Sequence, residues 1–144
     1  SLSRAQAKWQ KPPLGAIKIN VAGAFNVQTG TGGGGLIARN AAGGCALFFA
    51  RGLDPGPKII EGNTQDVVRS ITTEREDRSP LSLLFSDCRF LLSQLEDISI
   101  HFIFKESNRV AHRLARLSFT LPETTSWWHG PPAAVYDVLV EDNL

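Results

Sequence analysis

The sequence of 144 residues predicts an α/β fold built on one mixed sheet. In the first half, glycine separates apolar runs in which hydrophobic and polar residues alternate, the period of a half-buried strand. In the second half, strand patterns alternate with amphipathic helix patterns, which is typical of parallel strands joined through helices. The length suits one domain of ~100–200 residues. A content of 42% hydrophobic and 20% charged residues is ordinary for a globular protein.

Three strands are predicted after a polar, extended lead-in over residues 1–15. In Ala16–Phe25, isoleucine and valine alternate with polar or small residues. Gly35–Asn40 and Cys45–Ala50 follow, joined by two alanines and two glycines that suit a tight turn. The three strands are expected to form an antiparallel meander. No G-K-[S/T] follows the glycine run Gly30–Gly35, so we expect a flexible hairpin or bulge there rather than a phosphate-binding loop.

The next elements follow a break at Asp54–Pro57, which neither a helix nor a central strand tolerates. Lys58–Glu61 predicts a short strand, and Thr64 can cap a short helix. Ser79–Leu95 predicts the clearest helix, with a serine cap, a proline in the first turn and leucines at helical spacing.

The last part of the core is a strand and a helix. Apolar residues alternate over Ile98–Phe104, and Asn108 is expected to cap a helix whose apolar arc includes Val110 and Leu114. Residues 16–120 are therefore predicted to form the domain, and residues 121–144 a tail packed on or near it.

Charge and cysteine usage exclude several classes of protein. A net charge of +1 excludes the uniformly basic surface of a histone-like binder, so a nucleic-acid site would be a local patch. No apolar run approaches the ~20 residues of a membrane span, and the start lacks a signal-peptide pattern. Cys45 and Cys88 have no zinc spacing and are expected to be free thiols. We therefore expect an intracellular protein, cytoplasmic or nuclear, without membrane contact.

Several motifs follow one another in a fixed order along the chain. They are Trp9, Lys11–Pro13, Gly15, Lys18–Phe25, Gly35–Asn40, Gly43, Glu61–Thr64, Ser79–Leu81 and Lys105–Arg116. In this order they resemble plant ribonuclease H-like domains of the kind related to retrotransposon reverse transcriptases. The resemblance runs from about Trp9 to the C-terminus.

The resemblance implies an RNase H-like fold, with a five-stranded mixed sheet in the order 3-2-1-4-5 and flanking helices. Active members cleave the RNA strand of an RNA–DNA hybrid with two Mg²⁺ ions. Four carboxylates hold the ions: an Asp on strand 1, a Glu on the first helix, an Asp ending strand 4 and an Asp in the last helix. Mg²⁺ is a hard cation that takes oxygen ligands, which explains the carboxylates.

This sequence departs from that pattern at every one of the four positions. Ala22, Asn63 and His112 stand where the family has Asp, and the first helix is missing because only Asp54–Pro57 separates strands 3 and 4. Two divalent cations bring four positive charges, and these neutral side chains contribute no negative charge to balance them. Glu61 shares the face of Asn63, but one carboxylate cannot replace four. We therefore expect a catalytically inactive module without a cofactor. The alternative is a ribonuclease that cleaves RNA–DNA hybrids with atypical metal ligands, and only this alternative requires Mg²⁺.

The short link also has a geometric consequence. In the implied order, the link must run from the end of strand 3 to the start of strand 4, across three strand positions and back along one strand length. The straight distance between these two points is roughly 22 Å. Asp54–Pro57 spans at most ~18 Å. Either strand 3 ends early, so that Arg51–Leu53 join the link, or residues 58–144 of one molecule complete the sheet of another. The missing helix would also uncover apolar sheet surface. We therefore expect a homodimer, with a domain-swapped form as one possibility.

The last helix segregates its charges on one side. Arg109, His112, Arg113 and Arg116 share one face at 100° per residue. Arg109, Arg113 and Arg116 are the candidate nucleic-acid contacts, through phosphates. A solvated basic face without a ligand is the alternative, and non-cleaving nucleic-acid binding is therefore a third function to weigh.

Overall fold

The computed structural model describes residues 7–26, 28–43, 57–63, 93, 97–123, 125, 127 and 130–144. Its strands form one mixed sheet in the spatial order β2-β1-β3-β4. The strands are β1 (Ile17–Asn26), β2 (Thr31–Arg39), β3 (Lys58–Gly62) and β4 (Ile98–Phe102). β1 pairs antiparallel with β2 and parallel with β3, and β3 pairs parallel with β4.

The α/β class and the predicted strand order are confirmed within these residues. Without strand 3, the implied sheet has the order 2-1-4-5. Its strands 2, 1, 4 and 5 correspond to β2, β1, β3 and β4 of the structure. The predicted third strand, Cys45–Ala50, and the helices at Thr64 and Ser79–Leu95 lie outside the described residues, as do both cysteines. The fifth strand and the missing first helix therefore stay predictions. The last strand is shorter than predicted and ends at Phe102 rather than Phe104.

Alternation along the strands divides the core into two clusters, one on each face of the sheet. On one face, the cluster is formed by Ile17, Ile19, Ala38 and Ile60. On the other face, it is formed by Ile37, Val110, Leu114, Val135 and Val138. Trp127 packs against this second cluster.

Two helices cover the second face. Helix α1 (Arg109–Leu117) lies against β2 and β1, and buries the apolar arc that the sequence predicts. Helix α2 (Tyr136–Asp142) follows a short 3₁₀ turn and contacts α1. α2 buries Val138 and Asp142, so the tail after residue 120 contributes to the core.

The glycine run lies in the hairpin of β1 and β2, with Gly30 in the turn and the rest of the run in β2, so the predicted hairpin is present and the alternative of a bulge is not. β2 begins at Thr31, four residues before the predicted start. A Cβ atom on Gly35 would lie 2.5 Å from the carbonyl oxygen of Ala111, and one on Gly33 would lie 3.2 Å from that of Ala115. Glycine at alternate positions therefore lets α1 approach the strand backbone closely. The run lacks side chains because a helix lies on it.

The two ends of the described chain meet at the end of β2. The guanidinium carbon of Arg39 lies 3.9 Å from the ring centroid of Trp9. The same guanidinium is paired with Asp142, at 2.7 Å from Nη1 to Oδ2, and both side chains are buried. Lys8 Nζ donates a hydrogen bond of 2.6 Å to the carbonyl oxygen of Leu144. The lead-in and the C-terminal helix are thereby joined through β2.

Candidate functional site

The residues that replace the family's carboxylates lie around one end of the sheet. Ala22 is in β1, where its neighbour Val21 is paired with Gly62 at the end of β3. Asn63 follows β3 directly, so the positions of Ala22 and Asn63 lie at the same end of two parallel neighbours. His112 lies one turn into α1.

Asn108 joins these elements through its side chain. Its Nδ2 donates to the carbonyl oxygen of Val21 at 2.9 Å and to Oδ1 of Asn63 at 2.8 Å. Its Oδ1 accepts a hydrogen bond of 3.0 Å from Asn20 Nδ2. The start of α1 is thus bonded to β1 and to the end of β3, and Asn108 is fully buried.

Asn108 occupies the N-cap position, but the prediction that its side chain caps the helix was wrong. Its side chain makes no capping hydrogen bond, although its carbonyl oxygen accepts the first helical bond, from His112 N at 3.0 Å. The physical reason is competition: the side-chain amides of Asn108 and Asn20 are buried and need partners, and the carbonyl of Val21 and the side chain of Asn63 are also within reach of Asn108.

The hydrogen-bond network continues across the sheet through Asn20 and Glu61. Asn20 Nδ2 donates to Glu61 Oε2 at 3.1 Å, and Asn20 Oδ1 accepts from the indole nitrogen of Trp9 at 3.1 Å. Glu61 Oε1 pairs with Lys18 Nζ at 3.0 Å. Lys18 also donates to the carbonyl oxygen of Gln10 at 2.5 Å. We call Lys18, Asn20, Glu61, Asn63 and Asn108 the amide network.

Both oxygens of the Glu61 carboxylate are therefore engaged. Its charge is balanced by Lys18, and both side chains are almost fully buried. A buried carboxylate that is already paired and hydrogen-bonded is costly to redirect, because separation would leave Lys18 buried without this counter-charge. Glu61 is thus part of the framework of the sheet.

The residues at the family's positions do not fit a cage for two magnesium ions. Ala22 has no ligating atom, and Asn63 offers one neutral oxygen that already accepts a hydrogen bond from Asn108. Burial lowers the pKa of His112, and the positive charges of Lys105 and Arg116 lower it further, which favours the neutral imidazole at pH 7. Neutral imidazole suits zinc, copper or iron better than magnesium. No three His, Cys, Asp or Glu side chains of the described ranges are grouped as metal ligands.

The predicted basic face is present and lines an open cleft of about 550 Å³. The cationic and imidazole side chains of the lining are Lys105, Arg109, His112, Arg113 and Arg116. The structure therefore brings together all three candidate arginines. We call these five residues the basic face.

Two of the three arginines are paired with carboxylates of α2. Arg109 forms an ion pair with Glu141, whose hydrogen bond raises the pKa of the guanidinium. Arg113 Nη1 lies 2.5 Å from Asp137 Oδ1, and this hydrogen bond holds the pKa of Asp137 below its usual value. Within the described part of the chain, Arg116 has no ion pair. Sequence reasoning missed this arrangement, although the two arginines are four positions apart and so are the two carboxylates.

Comparison with solved structures shows the fold. The RNase H1 of the archaeon Halobacterium salinarum superposes with a TM-score of 0.61 over 73% of this chain and 98% of its own, at 19% identity. The RNase H1 known as LC11, isolated from compost, gives 0.62 over 74% and 97% at 14% identity. The N-terminal RNase H domain of a Mycobacterium tuberculosis protein gives 0.60 over 73% and 94% at 19% identity. The chain therefore has an RNase H-like fold.

The sequence comparisons place this fold within a family. The profile of the family described as reverse transcriptase-like matches residues 44–118, and the chain belongs to that family. An Arabidopsis thaliana protein named "Putative ribonuclease H protein" is 25% identical over 94% of this chain. The alignment covers 26% of that protein, so the chain spans about a quarter of the length of this relative. No helix of the described ranges has the length and apolar character needed to cross a membrane.

Proposed function

We propose that this chain is an RNase H-like module that does not cleave nucleic acid and acts by binding. The observation that carries the proposal is the amide network at the end of the sheet. Where two cations would need several free carboxylates, the described residues at the family's positions offer one neutral amide, Asn63, which is hydrogen-bonded to Asn108. The nearby carboxylate of Glu61 is already engaged by Lys18 and Asn20.

Electrostatics supports the same conclusion. Two Mg²⁺ ions close enough to act on one phosphate, about 3.5–4 Å apart, repel each other strongly. Carboxylates offset that repulsion, and Ala22, Asn63 and a neutral His112 contribute no negative charge. Without that charge, water competes effectively for magnesium, which loses its hydration shell reluctantly.

Cleavage of a labelled RNA–DNA hybrid, measured in Mg²⁺ and in Mn²⁺, tests the proposal. We expect no product above the buffer control in either metal. Turnover by the unchanged chain that disappears in Asn63→Ala or His112→Ala would overturn it, and would favour the alternative of a ribonuclease with atypical ligands. Turnover that survives both substitutions would point to a contaminating nuclease, which a repurified sample would lose.

We also propose self-association as one form of this binding. Among the described residues, β4 is an edge strand; Phe102 at its end and Phe104 two residues later are 41% and 42% exposed. Their rings contact each other edge to face, with centroids 6.2 Å apart. Exposed aromatic residues beside an open strand edge favour association with another protein surface. A domain-swapped dimer remains the form suggested by the short link at Asp54–Pro57.

Light scattering over a concentration series measures the mass in solution. We expect a dimer whose population falls when Phe102 and Phe104 are both changed to Ser. The matched control is Leu14→Ser, because Leu14 is 96% exposed but lies outside β4. A monomer at the highest concentration would contradict self-association in both its simple and its swapped form.

Nucleic-acid binding without cleavage is the second candidate function, favoured by the basic face. Lys105 and Arg116 lie on it without an ion pair to any described residue, and His112 lies between their charges. Affinity for an RNA–DNA hybrid, measured over a salt series, tests this function. Arg116→Ala should reduce the salt slope by about 0.9, the value expected for one phosphate contact. An unchanged slope would remove Arg116 from the interface.

A further inference from the structure

The ion pairs between α1 and α2 suggest how nucleic-acid binding would be restrained. Arg109 and Arg113 are four residues apart on α1, and their partners Glu141 and Asp137 are four residues apart on α2. Four residues of helix rise ~6 Å. Two phosphate steps of one strand advance by a similar distance along the axis of a B-form duplex, about 6.8 Å. The carboxylates of α2 thus offer the arginines negative charges at a spacing close to two axial phosphate steps.

From this arrangement we propose that α2 is an autoinhibitory acidic screen, which occupies Arg109 and Arg113 in place of the phosphates of a nucleic acid. The inference rests on the proposed nucleic-acid contact of the basic face and adds its regulation.

The attachment of α2 explains why the screen stays in place. Val138 is fully buried against α1 and β2, and Asp142 is buried in its ion pair with Arg39. These contacts hold an adjacent face of the helix, about 100° round from Asp137 and Glu141, so both carboxylates remain beside the arginines even if their own ion pairs are weak. The ion pairs of Arg109 with Glu141 and of Arg113 with Asp137 are largely exposed and therefore weak. Removing their charge should free the arginines without releasing the helix.

The screen acts in two ways on an approaching polyanion. It occupies guanidinium groups that would otherwise form charge-assisted hydrogen bonds with phosphate oxygens. Its two negative charges also repel phosphates over a distance of about 10 Å at moderate salt. The remaining cations of the cleft, Lys105 and Arg116, would then supply the basal affinity.

Fluorescence anisotropy of a labelled RNA–DNA hybrid over a salt series tests the screen. The variant is Asp137→Asn with Glu141→Gln, two nearly isosteric changes at exposed positions. We expect about tenfold tighter binding at low salt, and a salt slope steeper by about 1.8, since two phosphate contacts contribute about 0.9 each. Adding Arg109→Gln and Arg113→Gln to this variant should remove the gain.

The matched control is Asp97→Asn with Glu123→Gln. It changes the net charge by the same amount at two exposed positions that do not line the cleft. An equal gain in the control would overturn the proposal, because total charge would then explain the effect. Each single substitution, Asp137→Asn or Glu141→Gln, should give part of the gain, which keeps the test valid if the double variant folds poorly.

Other outcomes separate the screen from the function on which it rests. If the unchanged chain binds and Arg116→Ala weakens binding, but the α2 variant binds no tighter, the basic face stands and the screen is overturned. If neither the unchanged chain nor the α2 variant binds the hybrid at low salt, nucleic-acid binding itself fails, and the screen with it.

Discussion

The buried residue Asn108 shows that a local capping rule can predict the position of a residue but not the hydrogen bonds of its side chain. Asn108 occupies the position of a helix cap, and asparagine is among the best capping residues. Its side chain nevertheless turns to Val21, Asn63 and Asn20, because its own buried amide and that of Asn20 need hydrogen-bond partners there. A buried polar group without a partner costs more than a capping bond contributes.

Asn108→Asp separates the two roles of this residue. Aspartate caps a helix as well as asparagine does, but it cannot donate to Val21 or Asn63 and places a charge in the core. We expect the free energy of unfolding in urea to fall by about 2 kcal/mol or more. Asn40→Asp is the control, because Asn40 uses its oxygen to accept from Ala42 N and keeps that role. Equal stability of the two variants would restore the capping interpretation.

At the scale of elements, the packing of α1 on β2 depends on missing side chains. Gly33 and Gly35 lie beneath the small residues Ala111 and Ala115, so that strand and helix backbones come close together. Backbone atoms cannot move aside as a flexible side chain can. The volume of one methyl group is therefore significant at this contact.

Gly35→Ala tests this close approach. The added methyl group would lie 2.5 Å from the carbonyl oxygen of Ala111, and we expect a loss of about 1–3 kcal/mol in the free energy of unfolding. Gly34→Ala is the control in the same strand, since its methyl group would meet only Ala22 O at 3.6 Å, an ordinary contact. A stable Gly35→Ala protein would mean that α1 does not lie on β2 in this way.

The two sides of α2 carry ion pairs of different kinds. Arg39 and Asp142 are almost fully buried, whereas the pairs with Arg109 and Arg113 are largely exposed. Removal of one partner from a buried pair leaves a desolvated charge, and an exposed charge is instead solvated by water.

Asp142→Asn should therefore destabilise the protein far more than Asp137→Asn does. We expect a loss of about 3 kcal/mol for the buried position, measured by urea unfolding, and a much smaller change for the exposed one. The loss at Asp142 should persist in high salt, because buried charges are screened little. Similar losses for the two variants would show that Arg39 is not buried with Asp142.

At the scale of the whole molecule, the segments at both ends of the described chain are part of the core. Trp9 is 2% exposed, donates to Asn20 and lies against Arg39, which in turn binds Asp142. The lead-in and α2 thus depend on each other through one side chain of β2.

Trp9→Ala is expected to lower the free energy of unfolding by about 3–5 kcal/mol, through a cavity and the loss of the hydrogen bond to Asn20. Leu14→Ala, in the same lead-in but almost fully exposed, should leave stability unchanged. Thermal unfolding followed by circular dichroism compares the two. A Trp9→Ala protein as stable as the parent would place the lead-in outside the domain.

Prediction from the sequence succeeded where a local pattern determines the structure. Alternating residues located β1 and β4, and helical spacing identified the buried arc of α1 with Val110 and Leu114. The same spacing placed the three arginines on one face. Glycine lacks a side chain to show a periodicity, so the start of β2 was missed.

The sequence by itself determined the α/β class, which follows from short-range spacing. Its resemblance to RNase H-like domains implied the order of the described strands and identified Ala22, Asn63 and His112 as positions that lack a carboxylate. Only the tertiary structure decided which polar groups meet. Asn20 and Asn108 are 88 positions apart, and Arg39 and Asp142 are 103 apart. Such contacts depend on burial and on the direction of each hydrogen bond, which no local pattern encodes.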